Sequence, residues 1–234
     1  MSEDTFEIGY VPVDHAVELA KVTGAFLRDL CHAFLYTYGG YEDEEFVVEA
    51  AMDDITVVVC QDEEVVEYID KTLLTVKRWI QYQRLEGFAV VMVDKDENVA
   101  YSYQINFFKP EVRVKRIIAD FLVYITDLRK KFFEILNAIR YSERPATGDE
   151  NEDDEQSPTP ELRFRILCKL IPETSMVNRP REFVWQKVAA EASEDALLLP
   201  CGTRIDNPIV QADVYGKEHR CEEDDEEEEQ ENDD

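Results

Sequence analysis

The sequence predicts an α+β fold in which three helices pack on a mainly antiparallel sheet. Three long stretches, 14–38, 62–80 and 111–141, carry apolar residues at helical spacings of three and four. Shorter β-branched or alternating runs lie between and after them, and each run is bounded by turn-forming residues. Because the helices and strands do not alternate regularly along the chain, the order favours α+β over a parallel α/β fold.

The stretch 55–108 organises this prediction, because it contains a strand, a helix and a hairpin in succession. The β-branched run 55–60 predicts the strand. Asp62 is a suitable N-cap for the helix that follows, since its carboxylate accepts hydrogen bonds from the free N–H groups of a first helical turn. Two further strand-like runs, 88–93 and 99–108, flank a cluster of turn residues and predict a hairpin.

The remaining strands are predicted from shorter apolar runs. They are Phe46–Val48, Leu162–Ile171 and Ile209–Tyr215, with a short apolar run at Leu197–Pro200. Over the last fifty residues, apolar patches are separated by polar loops. We expect this part of the chain to wrap around the domain and not to build its core.

The net charge of −28 is unevenly distributed over the 234 residues. Residues 218–234 carry a net charge of −11 and residues 149–155 carry −6, which leaves −11 on the remainder. Direct binding to a nucleic-acid backbone requires a basic surface. The composition therefore argues against direct nucleic-acid binding.

The same composition predicts the domain organisation. We expect an extended N-terminus over 1–13, a single domain over 14–220, and a disordered acidic tail over 221–234. The acidic stretch 143–160 contains Pro, Gly and Ser and is interpreted as a flexible insert, because the residues after it are too few to fold alone.

Five cysteines are present, and none forms a C-x-x-C pair. An odd number of thiols among apolar residues is typical of a reduced intracellular protein. The acidic N-terminus lacks the apolar core of a signal peptide, and no apolar run approaches membrane-spanning length. These features predict a location in the cytosol or the nucleus, and no membrane partner.

No motif in the sequence indicates catalysis. The three histidines, His15, His32 and His219, have no Cys or His neighbour at metal-ligand spacing. Phosphate-binding loops and nucleophile-elbow motifs are not found. We therefore predict no catalytic residue, no metal site and no cofactor, and we expect a protein that is not an enzyme.

The order of these elements, together with scattered residues, resembles the HORMA-domain family over about 14–220. Within the family, the resemblance is greatest to the small accessory subunits of translesion DNA polymerase zeta. The residues that carry it are the helix Glu64–Lys77, the hairpin strands 88–93 and 99–108, Phe183 with Trp185, Leu197-Leu198, Gln211, Val214 and Glu218-His219-Arg220. The resemblance favours the nucleus as the location, with the cytoplasm as a second compartment.

The resemblance implies an adaptor that binds peptides. HORMA proteins close a C-terminal segment, the safety belt, over an extended partner segment that adds as a strand to the sheet. Here the belt would span about 175–220. A proline-containing segment, as from a polymerase catalytic subunit, would pack on Tyr68 and Trp185, with Tyr41 near the rim. Because Tyr68 lies one position off the apolar stripe of its helix, the sequence leaves both a groove and a core position open for it.

The resemblance also implies a second protein partner, a scaffold polymerase, on the face of the closed belt. That face would include Leu197 or Leu198, Gln211 and Tyr215. Gln211 and Tyr215 share one side of a strand by its period of two. The alternative for the leucines is that they anchor the belt to the core, since apolar residues are usually buried.

A different function within the same fold remains open at this point. The chain is also compatible with a spindle-checkpoint or meiotic chromosome-axis HORMA protein. The family self-associates through an arginine on the third helix, whereas the matching position here is Ala119, with Arg116 one turn away. The sequence therefore leaves homodimerisation open.

Overall fold

A computed structural model describes residues 13–39, 41–50, 56–108, 114–142, 162–171 and 196–219. Within these ranges the chain forms three α-helices and seven strands, and the α+β prediction is confirmed. The helices are α1 Val13–Tyr38, α2 Glu63–Gln81 and α3 Val114–Arg140, and a short 3₁₀ helix spans Asp43–Glu45. The strands are β1 Phe46–Ala50, β2 Thr56–Cys60, β3 Leu85–Val93, β4 Val99–Phe108, β5 Arg163–Leu170, β6 Ala196–Asn207 and β7 Val210–His219.

The main sheet has five antiparallel strands in the order β5-β3-β4-β7-β6. The hairpin of β3 and β4 forms its centre, and the C-terminal hairpin of β6 and β7 extends it beyond β4. β5 pairs with the other side of β3 and forms the opposite edge. A separate antiparallel hairpin, β1 with β2, packs against α1.

The central helix of the fold is α1, which contacts α2, α3, β2 and β3. Its long apolar stripe is fully buried, as the sequence predicted for a wide stripe. Phe26 stacks on Phe132 of α3, with ring centroids 3.9 Å apart. Gly24 allows α2 to approach closely, because a Cβ there would lie 2.5 Å from side-chain carbons of Lys77. None of the described helices has the combination of length and apolarity needed to cross a membrane.

The C-terminal hairpin differs from the prediction. Separate short strands with polar loops were expected, but β6 runs continuously for 12 residues, with a register shift between Leu199 and Thr203. Pairing with β7 explains this length, since a neighbouring strand holds residues whose own apolar pattern is weak. Along β7, burial alternates with a period of two as predicted: Val210, Ala212 and Val214 are buried on the helix side.

Several sequence predictions lie outside the described residues. They concern the N-terminal residues before Val13, the insert 143–160, the position of Trp185 and the tail 221–234.

Candidate functional site

Along the edge of the sheet formed by β5, a row of backbone groups points away from β3. Within the described ranges, β3 is the only strand that pairs with β5. The N–H of Ile166 points away from β3 and donates to the hydroxyl of Tyr68 at 3.1 Å. Because N–H groups alternate in direction along an antiparallel strand, Phe164 and Cys168 also direct their N–H groups outward. Such a row is a template for an added strand.

Tyr68 reaches this edge from α2. Two hydrogen bonds to the carboxylate of Asp62, from the N–H groups of Glu64 and Val65, fix the start of that helix. The ring of Tyr68 packs edge-on against Phe164, with centroids 6.0 Å apart. Burial raises the pKa of the Tyr68 hydroxyl above its usual value. Tyr68 therefore packs against the core and also contacts the sheet edge.

Basic side chains occupy the outer face of β5, opposite the helices. Arg163 and Arg165 both bind the carboxylate of Glu97 in the turn between β3 and β4. These contacts lower the pKa of Glu97 below its usual value, and the hydrogen bond from Arg165 contributes most. Lys169 pairs with Glu86 at 3.1 Å and is 73% exposed. The outer face of the edge strand thus carries three cations and Leu167, and its other face is apolar.

Tyr41, the predicted rim residue, lies at the end of α1. Its ring packs edge-on against Phe46 of β1, with centroids 6.1 Å apart, and lies close to Gly39. Burial raises the pKa of its hydroxyl, and the neighbouring thiol of Cys60 adds to the effect. These contacts place Tyr41 at the β1–β2 hairpin, whereas Tyr68 contacts β5.

The residues predicted for a second surface lie along the C-terminal hairpin. Tyr215 accepts a hydrogen bond from Asn106 at 2.7 Å and donates one to Gln104 at 3.0 Å. Gln211 donates to Asp206 at 3.0 Å. Both Gln211 and Tyr215 are half-buried and lie on the sheet face opposite the helices.

Leu197 and Leu198 lie in β6, where they pair with Glu218 and Lys217 of β7. Trp185 is outside the described residues.

Comparison with known proteins identifies the fold. No family model matches the chain. The mitotic spindle checkpoint component MAD2 of Saccharomyces cerevisiae is 36% identical over 72 residues, which is 31% of this chain. The matched stretch spans 36% of the length of MAD2.

Solved structures match a much larger share of the chain. One chain in a crystal structure of the mitotic checkpoint complex matches with a TM-score of 0.62 at 15% identity, covering 86% of this chain and 98% of that one. C. elegans HTP-2 bound to the HIM-3 closure motif matches with a TM-score of 0.60 at 10% identity, covering 93% and 98%. HTP-2 bound to HTP-3 motif-6 gives the same score and identity, covering 94% and 99%.

The chain has the HORMA fold.

Sequence reasoning missed one polar residue that holds the C-terminal hairpin of this HORMA fold in place. Asn207, which is 1% exposed, ends β6. Its amide donates to the backbone carbonyl of Tyr124 at 2.9 Å and to the carboxylate of Asp127 at 3.0 Å, both on α3. Its side-chain oxygen accepts from the N–H of Ile209 at 3.0 Å. The dipeptide Asn207-Pro208 indicates a turn, but nothing local indicates the contact with α3.

Two buried titratable groups lie on α1, away from the β5 edge. His32 is fully buried and its Nδ1 accepts a hydrogen bond from the N–H of Cys60 at 3.3 Å. Burial lowers the pKa of His32 to about 4. Asp29 lines a small pocket with Val57 and Phe133, and burial raises its pKa to about 6. Within the described ranges, no three potential metal ligands come together.

Proposed function

We propose that this chain is a non-catalytic adaptor of the HORMA-domain family that captures an extended segment of a partner protein as an added strand on β5. The observation that supports it best is the outward row of backbone groups on that strand, with the hydroxyl of Tyr68 on the N–H of Ile166. Addition of a strand to an exposed sheet edge is a common way to bind peptides, because main-chain hydrogen bonds supply affinity and alternate side chains supply specificity.

The topology supports a belt that holds the captured strand. β5 and β6 follow one another in the chain, yet they lie at opposite edges of the sheet. The segment between them therefore joins the two edges, as a belt over a captured strand must. HTP-2, which has the same fold, has been solved with closure motifs of HIM-3 and HTP-3 bound. By analogy, we propose that residues of about 175–220 enclose the partner segment here, with Trp185 among its contacts.

Two cellular roles fit this capture. The sequence resemblance favours a nuclear adaptor that links the catalytic subunit of a translesion polymerase to a scaffold polymerase during DNA damage tolerance. The similarity to MAD2 and HTP-2 equally favours a role at the spindle checkpoint or the meiotic chromosome axis. Affinity purification of the tagged full chain, with mass spectrometry and peptide mapping of the retained proteins, decides between them. Recovery of polymerase subunits supports the first role, and recovery of kinetochore or axis proteins supports the second.

A second partner would bind the sheet face that carries Gln211 and Tyr215, together with Leu197 or Leu198. The hydrogen bonds of Gln211 and Tyr215 hold both side chains in place on that face. This face runs along the C-terminal hairpin, at the far side of the sheet from β5. One protein could therefore contact it while a peptide occupies the β5 edge, which is the arrangement that a bridging adaptor requires.

Cys168→Pro is expected to weaken capture of the mapped partner segment. Proline lacks the outward N–H that an added strand would use, and it is tolerated in edge strands where that N–H does not serve the ladder. Loss of one main-chain hydrogen bond should raise the Kd about three- to tenfold, as measured by fluorescence polarisation with the synthetic segment. Cys168→Val is the matched control, since it retains the N–H. Equal affinities for the two variants would show that the segment does not pair with β5.

Tyr68→Phe is expected to lower the stability of the free protein and to tighten peptide binding. The variant removes the hydrogen bond to the N–H of Ile166, which should cost about 0.5–1.5 kcal/mol of unfolding free energy, because an edge that admits a partner strand also admits water. That same N–H is then free for a carbonyl of the captured strand, so the Kd should fall about two- to tenfold. Tyr215→Phe, which removes a hydroxyl from the other surface, should leave the Kd unchanged. Weaker binding by Tyr68→Phe would mean that the hydroxyl contacts the bound segment and is not displaced by it.

A further inference from the structure

The residues of β5 restrict the kind of segment that this edge accepts, provided that the edge is the capture site proposed above. Side chains of β5 alternate between the two faces of the sheet. Phe164, Ile166 and Cys168 face the helices, where Ile166 is buried and the other two pack against the core. Arg163, Arg165 and Lys169 lie on the outer face. A strand that adds here meets apolar side chains on one face, and on the other it meets these cations with Leu167 between Arg165 and Lys169.

The cations on the outer face are only partly neutralised by their present partners. One carboxylate, that of Glu97, serves the guanidinium groups of both Arg163 and Arg165. One guanidinium nitrogen of Arg163 also donates to the backbone carbonyls of Asp94 and Lys95. Each guanidinium has five N–H donors, so both retain donors for a further acceptor. Lys169 has Glu86 as its partner, but its side chain remains 73% exposed.

An acidic side chain on a captured strand would lie closer to the cations of β5 than to the carboxylates that pair with those cations. Neighbouring strands lie about 4.8 Å apart, so an added strand is that far from β5 and about twice as far from β3. Glu86 belongs to β3 and Glu97 to the turn beyond it. Side chains directly opposite one another on adjacent strands interact, whereas charges farther away are increasingly screened at physiological salt.

We propose that the segment captured by β5 alternates apolar and acidic residues, with the apolar residues towards Tyr68 and the helices and the acidic residues opposite Arg163, Arg165 and Lys169. The acidic residues that face Arg163 and Arg165 are two positions apart in the captured segment. Those that face Arg165 and Lys169 are four positions apart. The apolar residues between them pack beside Phe164 and the ring of Tyr68. The chain as a whole is strongly acidic, with a net charge of −28. The cations on β5 differ from this background, so they would select acidic residues in the captured segment.

The test begins with a displayed library of random 12-residue peptides selected on the immobilised full chain. Enriched peptides should carry Asp or Glu at alternate positions between apolar residues. A selected peptide is then synthesised with its acidic residues unchanged, replaced by Gln, and replaced by Lys. Replacement by Lys should raise the Kd about tenfold or more, since two or three opposed charge pairs change sign. The proposal is overturned if the enriched peptides lack acidic residues at alternate positions. It is also overturned if replacing those residues by Lys leaves the Kd unchanged.

A charge swap in the protein completes the test. Arg165→Glu with Lys169→Glu should weaken binding of the acidic peptide and restore binding of the Lys peptide. Lys169→Glu alone gives a smaller change in the same direction and does not disturb the Glu97 pairs. Arg204→Glu is the control, because Arg204 is an exposed cation on β6 at the far edge of the sheet. Absence of rescue overturns the proposal.

The two hypotheses fail in distinguishable ways. Selected peptides that bind but ignore Cys168→Pro contradict capture at β5, and a library that yields no binder of any charge contradicts capture of a free extended segment. Peptides that depend on Cys168 but show no acidic alternation contradict only the specificity proposed here.

Discussion

Asp29→Asn is expected to stabilise the protein at pH 7 and to lose this advantage as the pH falls towards 4. The side chain of Asp29 is only 13% exposed. Burial raises its pKa from 3.8 to about 6, the charge of Arg28 opposes the shift, and the charge of Glu49 adds to it. The folded state therefore binds the proton more tightly than the unfolded state does.

The sign of the effect follows from linkage. A raised pKa contributes stability that is fully present below the unfolded value of 3.8 and is lost as the pH rises through about 6. At pH 7 the buried carboxylate is ionised and costs about 2–3 kcal/mol, which the neutral amide avoids. The difference in unfolding free energy between Asp29→Asn and the parent should thus be largest at pH 7 and small near pH 4.

His32 has the opposite dependence. Its pKa is lowered from 6.5 to about 4 by burial and by the charge of Arg28, so the folded state favours the neutral ring. That contribution to stability is present above pH 6.5 and is lost as the pH falls through about 4. As the pH falls from 6.5 to 4, the contribution of Asp29 to the unfolding free energy increases and that of His32 decreases. The two contributions therefore partly cancel in the parent protein. His32→Gln, whose amide oxygen can still accept from the N–H of Cys60, should gain stability relative to the parent over the same descent.

Urea denaturation of the parent and both variants at pH 4.5, 5.5, 6.5 and 7.5 tests this pair. The unfolding free energy of the parent is subtracted from that of each variant at each pH, which removes the contribution of the many other carboxylates. Difference curves that slope in opposite directions support the assignment. Parallel or flat curves would show that neither group titrates with an altered pKa in the folded state.

Local chemistry explains what the sequence predicted well. Asp62 caps α2 as expected, because an N-cap depends on residues two and three positions away. The long helices were predictable for the same reason, since their apolar stripes are periodic within a single segment.

Long-range pairing explains what the sequence did not reveal. Among the described strands, the position of β5 at the edge of the sheet depends on pairing between distant parts of the chain. The contact of Tyr68 with β5 depends on the same pairing and could not be inferred from α2 alone. β6 was underpredicted because β7, and not its own apolar pattern, holds residues such as Thr203 and Arg204 in the sheet. The role of Asn207 depends on two residues of α3 that lie 80 and 83 residues earlier in the chain.

Asn207→Ala is expected to destabilise the C-terminal hairpin more than the rest of the fold. The substitution leaves the N–H of Ile209 without its acceptor in a fully buried position and removes both hydrogen bonds to α3. An unpaired buried group costs about 1–3 kcal/mol, so the unfolding free energy should fall by roughly 2–4 kcal/mol when the lost helix contacts are included. Denaturant titration gives the total loss.

Amide hydrogen exchange then locates the loss. β7 amides that pair with β4 should lose protection to a greater extent than those of β3 at the sheet centre, because Asn207 ties the tip of the hairpin to α3. Asn207→Asp retains the acceptor for Ile209 but places a second carboxylate beside Asp127, so its destabilisation should be relieved on acidification. Asp206→Asn, at the neighbouring exposed position, should change stability by less than about 0.5 kcal/mol. A loss of protection spread evenly over the sheet would contradict a local role, whereas loss confined to β6 and β7 would identify Asn207 as the residue that keeps the C-terminal hairpin docked on α3.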